Sequence, residues 1–178
     1  MTLQAILRHI TGYVTGFGIF MVGIPFGLYF VSAMLDRYLP IGLIPQTWLR
    51  MGLSLPVAAL GIVFIVWSNL YLFFVGKGGP ADGLGVQISP RTQHLVTSGP
   101  YRYTRNPMIF GALSLYVGLA IFLNSVICLG LAALLFWCAS FYLKQVEEKR
   151  LLKDFGDEYE KYRKRVSILV PLPPGKRI

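Results

Sequence analysis

Three stretches of the chain contain no Asp, Glu, Lys or Arg: Ile10–Leu35, Met51–Val75 and Met108–Leu143. A helix that crosses a membrane needs about 20 apolar residues at about 1.5 Å each. The first two stretches each suit one crossing. The third, if it were one helix, would run about 54 Å, too long for a hydrocarbon core of about 30 Å. It is expected to fold back as a hairpin turning at Asn124-Ser125. The pattern therefore predicts an all-α integral membrane protein of a single domain. Four transmembrane helices are expected over 11–35, 51–75, 107–123 and 126–143, the last two forming the hairpin. A polar loop spans 76–106 and a helical tail 144–178.

The segments have their own grammar. Residues 1–9 form a short amphipathic lead-in. Val31-Ser32-Ala33 imitates a signal-peptide cleavage site, but the apolar run before it exceeds the usual length of about 7–15 residues, so a retained span is expected. The first span is rich in glycine, and Gly23 and Gly27 form a GxxxG pair, a spacing that lets membrane helices approach closely. Asp36–Arg50 is a short loop punctuated by Pro40 and Pro45. Trp67, Tyr71, Phe73 and Phe74 at the end of span two suit a membrane interface. Gly76–Ser98 is the long irregular segment, a loop or lid. Its Gly76-Lys-Gly-Gly-Pro80 lacks the spacing of a phosphate loop.

Asn106-Pro107 reads as a helix start, with Asn at the N-cap and Pro at the first helical position. Span four is expected to run on past the headgroups as a charged helix through Glu147–Arg150. Gly156 suits a helix end, and Asp157 with Glu160 a new start, giving a second helix over 158–166. Leu151, Phe155, Tyr159, Tyr162 and Val166 form one apolar stripe, to lie on the bilayer or cover the loop. The tail after Val170 reads as extended.

Charge orients the spans. The net charge is +9, and ten of the 17 Lys and Arg residues lie from Lys144 onward. Lys77, Arg91, Arg102 and Arg105 lie in the second loop, and the hairpin turn has none. The positive-inside rule then makes the second loop and both termini cytoplasmic. The basic tail faces anionic headgroups rather than nucleic acid. Composition agrees with the membrane reading: 54% of residues are hydrophobic and 14% charged, against about 25% charged in a soluble domain. Cys128 and Cys138, about 15 Å apart along one predicted helix, read as packing residues. His9 and His94, the only histidines, give no metal spacing.

The expected chemistry gathers at one end of the hairpin, where Tyr101, Arg102, Tyr103, Arg105 and Asn106 meet Glu147 and Glu148. An Arg or a helix N-terminus accepts a carboxylate. A Glu accepts an ammonium or ribose hydroxyls. An aromatic face attracts a sulfonium. S-adenosylmethionine has all these parts. Each residue also has a plainer use. Asn106 can simply cap, Arg102 and Arg105 can hold lipid phosphate, Tyr101 can sit in an interfacial belt, His94 can be an ordinary loop residue, and Glu148 can pair with a base on its own helix. A carboxylate just past a membrane helix needs a partner, which makes Glu147 the most suggestive of the set.

Gln93-His-Leu-Val-Thr-Ser-Gly-Pro-Tyr101, Arg105-Asn-Pro-Met108, Gly111, Glu147-Glu148, Leu151, Phe155-Gly156, Tyr159, Tyr162, Val166 and Pro171 together resemble the isoprenylcysteine carboxyl methyltransferase family. The resemblance covers about residues 84–171. It implies a membrane methyltransferase with S-adenosylmethionine as methyl donor and a lipophilic or lipidated acceptor drawn from the bilayer. Carried over by position, Gln93, His94, Leu95, Val96, Tyr101, Asn106, Pro107, Met108, Ile109 and Glu147 would bind the donor. Arg105 and Asn106 would be catalytic, and Lys144 and Glu148 would meet the substrate. Three positions depart from the pattern. Asn106 stands where the family often has His, so it cannot titrate, and Ile109 stands where a Tyr is common. Leu143 occupies the place of an Arg that the eukaryotic enzymes link to substrate. Donor binding therefore transfers better than prenylcysteine specificity.

The acceptor could equally be a phospholipid amine or a small thiol. Outside methyl transfer, an NADPH-dependent membrane reductase or a non-enzymatic scaffold shares parts of the pattern. If the source is bacterial, a multi-pass inner-membrane location follows. The oligomeric state is not legible.

Overall fold

The structure, a computed structural model, describes residues 3–79, 82–83, 86–87 and 92–173. Helix α1 (Leu3–Phe17) passes through a π-helical turn (Gly18–Gly23) into α2 (Ile24–Leu35). The wide turn ends two residues before Pro25, whose missing N–H removes a rung of the α-helical ladder and invites the looser turn before it. Helix α3 (Thr47–Phe74) follows. The long loop then holds a two-residue antiparallel ladder, β1 (Asp82–Gly83) with β2 (Val86–Gln87), and a 3-10 turn (Gly99–Arg102). Helix α4 (Pro107–Leu123) and helix α5 (Val126–Tyr142) form the hairpin. A second π-helical turn (Leu143–Glu147) leads into α6 (Glu148–Arg165).

Three helices are long and apolar enough to cross a membrane: Ile10–Leu35, Thr47–Phe74 and the apolar part of Val126–Arg165. Pro107–Leu123 is apolar but shorter, about 26 Å by helical rise. Among the described residues its flanks are the most buried. Gly111, Ala112, Leu113, Tyr116, Gly118 and Ala120 are all enclosed, with α3 on one side and α5 on the other.

Small residues set that packing, but not at the expected pair. A Cβ on Gly27 would meet open space, whereas one on Gly61 would come within 2.5 Å of the Gly111 carbonyl oxygen. The reciprocal Cβ on Gly111 would come within 2.6 Å of the Gly61 carbonyl oxygen. The intimate helix contact is thus Gly61 against Gly111, in α3 and α4, and the GxxxG pair of the first span does not serve it.

The hairpin turns where expected. Asn124 adopts the left-handed conformation (φ 58°), which Asn tolerates better than most residues. Its Oδ1 accepts from the Ile44 N–H at 2.7 Å. Ser125 Oγ caps α5 by accepting from the Cys128 N–H at 2.9 Å and donates to Asp36 Oδ1 at 2.9 Å. These bonds bind the Asp36–Ile44 loop to the hairpin turn, at the end of the bundle away from Arg105 and Glu148.

The break at Gly156 is also where expected. Its φ of 52° and ψ of −128° are non-helical and open to glycine, so α6 is two helical pieces about a kink. Glu160 forms ion pairs with Arg163 at 2.8 Å and Lys164 at 3.7 Å. The two cysteines are free, Cys128 buried and Cys138 exposed.

Candidate active site

Residues 103–106 lead into α4 and carry the tail beside them. The Arg105 N–H donates to the Ser167 carbonyl at 2.8 Å, and the Leu172 N–H donates to the Tyr103 carbonyl at 3.0 Å. Thr104 pairs with Ser167 in a parallel bridge, and its buried hydroxyl donates to the Leu169 carbonyl at 2.9 Å. The segment after α6 is thus a strap laid along the start of α4, more ordered than the extended tail the prolines suggest.

Asn106 holds that strap. It stands at the N-cap position with Pro107 next, but its side chain makes no capping bond. Its Nδ2 instead donates to the Ile168 carbonyl at 2.8 Å. The capping expectation is right about the helix boundary and wrong about the side chain, whose amide is turned to donate to the strap instead of accepting from the first N–H groups of α4.

Arg105 and Glu148 form an ion pair between the start of α4 and α6, with side chains only 9% and 14% exposed. Arg105 Nη1 also donates to the Tyr159 hydroxyl at 3.3 Å. Glu148 lies 3.9 Å from Arg163 as well. Glu148's main partner is therefore on the turn before α4, not on its own helix. Glu147 engages Arg150 at 2.6 Å. The π-helical turn ends at Glu147, just before Glu148, and inserts an extra residue into the rotation of the helix, so the phase of Glu148 differs from that of a continued α5. Arg105 Nε is buried and has no hydrogen-bond partner.

The aromatic stripe of α6 covers the loop. Tyr159 and Tyr162 are buried, and the Tyr162 hydroxyl donates to the Tyr101 carbonyl at 2.6 Å. Burial pushes the Tyr101, Tyr159 and Tyr162 phenols above their ordinary range, and the Glu147 charge adds to the rise at Tyr101 and Tyr159. All three are neutral near neutral pH. Because their folded values are raised, the stability they contribute is complete below about pH 10 and is lost as pH climbs beyond it. Tyr162→Phe leaves the Tyr101 carbonyl without its donor and is expected to cost about 1 kcal/mol at neutral pH. It should also flatten the alkaline decline. Thermal unfolding at about pH 8 and about pH 11 checks both.

The remaining expected residues are spread around this centre. Gln93 and His94 are exposed, and Val96 is buried against the end of α3 beside Gly76. The Gln93 N–H donates to the Gly76 carbonyl at 2.8 Å. Met108 Sδ accepts from Asn69 Nδ2 at 3.5 Å, Pro107 is buried and Ile109 packs on the core. Leu95 is half-buried, and Lys144 and Arg102 are exposed. The fold brings Tyr101, Arg105, Asn106, Glu147 and Glu148 to one end of the bundle. It leaves Lys144 at the surface. Residues 80–81, 84–85 and 88–91 of the 76–106 loop lie outside the described residues. Thr104, the strap carbonyls of Ser167–Leu169 and Asn69 were not foreseen. A lone Thr, three backbone groups and one amide in an apolar run carry no spacing signal.

Comparison with known proteins places the chain in a family. The phospholipid methyltransferase family matches residues 49–158, from the start of α3 to just past the Gly156 kink. A protein-S-isoprenylcysteine O-methyltransferase of Schizosaccharomyces pombe is 37% identical over 82 residues, 45% of this chain and 34% of the yeast protein. The mouse and human proteins of the same name are each 35% identical over 89 residues, 49% of this chain and 31% of theirs. The match thus spans about a third of the length of these relatives. No solved structure gives a significant match. With more than half its length matched by one family, and a set of isoprenylcysteine methyltransferases among its relatives, the chain belongs to the phospholipid methyltransferase family.

Proposed function

We propose that the protein is an S-adenosylmethionine-dependent methyltransferase that modifies a lipophilic acceptor, a prenylcysteine-like carboxylate, at the cytoplasmic face of a membrane. The observation that carries this reading is the buried, unpartnered Arg105 Nε beside the first turn of α4. A buried donor without a partner is expensive unless a ligand supplies the acceptor. A carboxylate at that position would satisfy it and gain from the helix N-terminus. Glu147, its side chain 19% exposed, can take an ammonium or ribose hydroxyls. Buried Tyr101 lies near enough to feel its charge. These donors and acceptors fit the methionine and ribose parts of the cofactor, with Gln93–Val96 and Asn106–Ile109 as the remaining donor-binding segments.

When bound, S-adenosylmethionine supplies a methyl group activated by its sulfonium. Arg105, Glu147 and the Gln93–Val96 and Asn106–Ile109 segments would hold it, and it would give up that methyl to an acceptor lone pair with the neutral thioether as leaving group. A carboxylate acceptor is already ionised, so no base is needed. This matters because Asn106 cannot be one and the three tyrosines are held protonated. The chain's contribution is position and exclusion of water. Arg105, paired with Glu148, fixes the start of α4. Asn106 fixes the strap. Lys144 and Glu148 lie on the substrate side of this reading.

The short Pro107–Leu123 helix as a fourth crossing completes a bundle with both termini cytoplasmic. The basic residues of the second loop and tail support that orientation.

Calorimetric titration of the purified full chain with S-adenosylhomocysteine tests the proposal. Micromolar binding is expected, weakened at least tenfold by Glu147→Ala. Binding of NADPH in its place, or of neither ligand by folded protein, sinks the methyltransferase reading.

A further inference from the structure

The start of α4 is tied to the segment after α6 residue by residue. The Tyr103 carbonyl accepts from the Leu172 N–H at 3.0 Å, and the Arg105 N–H donates to the Ser167 carbonyl at 2.8 Å. Those two bonds are main chain to main chain. The other two depend on side chains. Thr104 Oγ1 donates to the Leu169 carbonyl at 2.9 Å, and Asn106 Nδ2 donates to the Ile168 carbonyl at 2.8 Å. Three successive strap carbonyls, at 167–169, are thus engaged by three successive residues, 104–106. Thr104 is fully enclosed, and its hydroxyl is used twice, since it also accepts from the Asn106 N–H at 3.3 Å. Leu169 is buried in the core with Ile168 packed against it. The Ile168 carbonyl therefore stands between two fixed neighbours, and Thr104 fixes one of them.

A side-chain amide is planar, with one donor end and one acceptor end. A carbonyl partner assigns the donor end of Asn106 to the strap, because a flipped amide would set oxygen against oxygen. Oδ1 is then turned the other way. It takes no bond from the first N–H groups of α4, and no other group among the described residues donates to it. One residue earlier, Arg105 Nε is a buried donor without a partner, on a side chain only 9% exposed. Adjacent residues thus offer one unclaimed acceptor and one unclaimed donor. That pair suits a zwitterion, with the carboxylate on the guanidinium and the ammonium on the amide oxygen. Glu147 is the rival for the ammonium. Arg150 already meets its charge at 2.6 Å, which makes ribose hydroxyls its better match.

We propose that Thr104 is a positioning residue for the methyl donor: through the strap it sets the Asn106 amide, whose Oδ1 accepts a hydrogen bond from the α-ammonium of S-adenosylmethionine. This rests on the methyltransferase reading above and adds the returning tail to the donor site. Thr104 itself touches no ligand. Without its hydroxyl the Leu169 carbonyl loses its donor and the Asn106 N–H its acceptor, so the amide is no longer held at the angle the ammonium needs.

Two ligands test this by calorimetry on the full chain in nanodiscs. One is S-adenosylhomocysteine. The other is its deaminated analogue, which keeps the carboxylate and lacks only the amino group. The unsubstituted chain should bind the analogue about tenfold more weakly. Thr104→Val should weaken S-adenosylhomocysteine about tenfold, yet leave the analogue within twofold. Thr104→Ser restores the hydroxyl and should return S-adenosylhomocysteine to within twofold of the unsubstituted chain. If Thr104→Val fails to fold, Thr104→Ala removes the same hydroxyl and carries the same expectation. Asn106→Leu should reproduce the selective loss. The double variant should bind no more weakly than Asn106→Leu alone, because Thr104 acts through Asn106. Equal loss of both ligands in Thr104→Val, no loss of either, or additive losses in the double variant overturns the inference and leaves the methyltransferase reading standing. Folded, unsubstituted protein that binds neither ligand sinks that reading and this inference with it.

Discussion

Gly61→Val is expected to prevent assembly of the helix bundle. A single Cβ there would lie 2.5 Å from the Gly111 carbonyl oxygen and 2.7 Å from the Leu115 backbone nitrogen. Both obstacles are backbone, so no rotamer relieves the clash. Only separation of α3 from α4 does. Overpacking a core typically costs about 1–3 kcal/mol for added methylenes, and a branched side chain wedged between two backbones lies at or beyond the upper end. Gly61→Ala should still fold but with a markedly lower unfolding temperature. Because Gly111 is one turn into α4, displacement there also reaches Pro107 and Asn106, so cofactor binding should weaken with stability. Gly27→Ala is the control. Its Cβ meets nothing within 4 Å, and alanine is favoured over glycine within a helix by about 1 kcal/mol. Size-exclusion profiles and thermal unfolding of the three variants in one detergent check the order.

Arg105→Ala is expected to be the most damaging change at the candidate site. It strips Glu148 of its main partner while leaving that carboxylate largely enclosed, a situation that typically costs about 3–5 kcal/mol. The Tyr159 hydroxyl loses its donor as well. For a chain of this size each kcal/mol moves the unfolding temperature by about 2–4 °C, so a fall of about 10 °C is the expected reading. The paired replacement Arg105→Met with Glu148→Met removes both charges together and should recover much of the stability. It should not recover S-adenosylhomocysteine binding, since the Arg105 Nε donor is gone. Recovery of binding in that double variant would show that Arg105 acts only as a strut.

Much of this was legible along the chain. The uncharged stretches marked the helices to within a few residues, because hydrocarbon tolerates neither charge nor open backbone groups and the length of a crossing is set by helical rise. Asn124-Ser125 and Gly156 marked the turns, since each break needs a residue suited to it. The family was legible as a motif. The wiring of those residues was not. Asn106 looked like a cap and is a strap anchor. Glu148 looked like a partner for its own helix and is bound chiefly to Arg105, on the turn before α4. The glycine pair that counts is Gly61 with Gly111, fifty positions apart, not Gly23 with Gly27.

The sequence by itself determined which segments are helical, where they break, which end of the bundle carries the polar groups, and the family. Those properties follow from local composition, from periods of a few residues, and from a motif that keeps its order and spacing. Only the tertiary structure decided which side chains meet, that the tail returns along the start of α4, and that Asn69 keeps a buried carbonyl facing no donor. Each of these depends on how helices distant in sequence are rotated against one another, and two π-helical turns at Gly18–Gly23 and Leu143–Glu147 alter that rotation. A shift of one residue in a helix turns a side chain by about 100°, and nothing in the order of amino acids near Glu147 announces it.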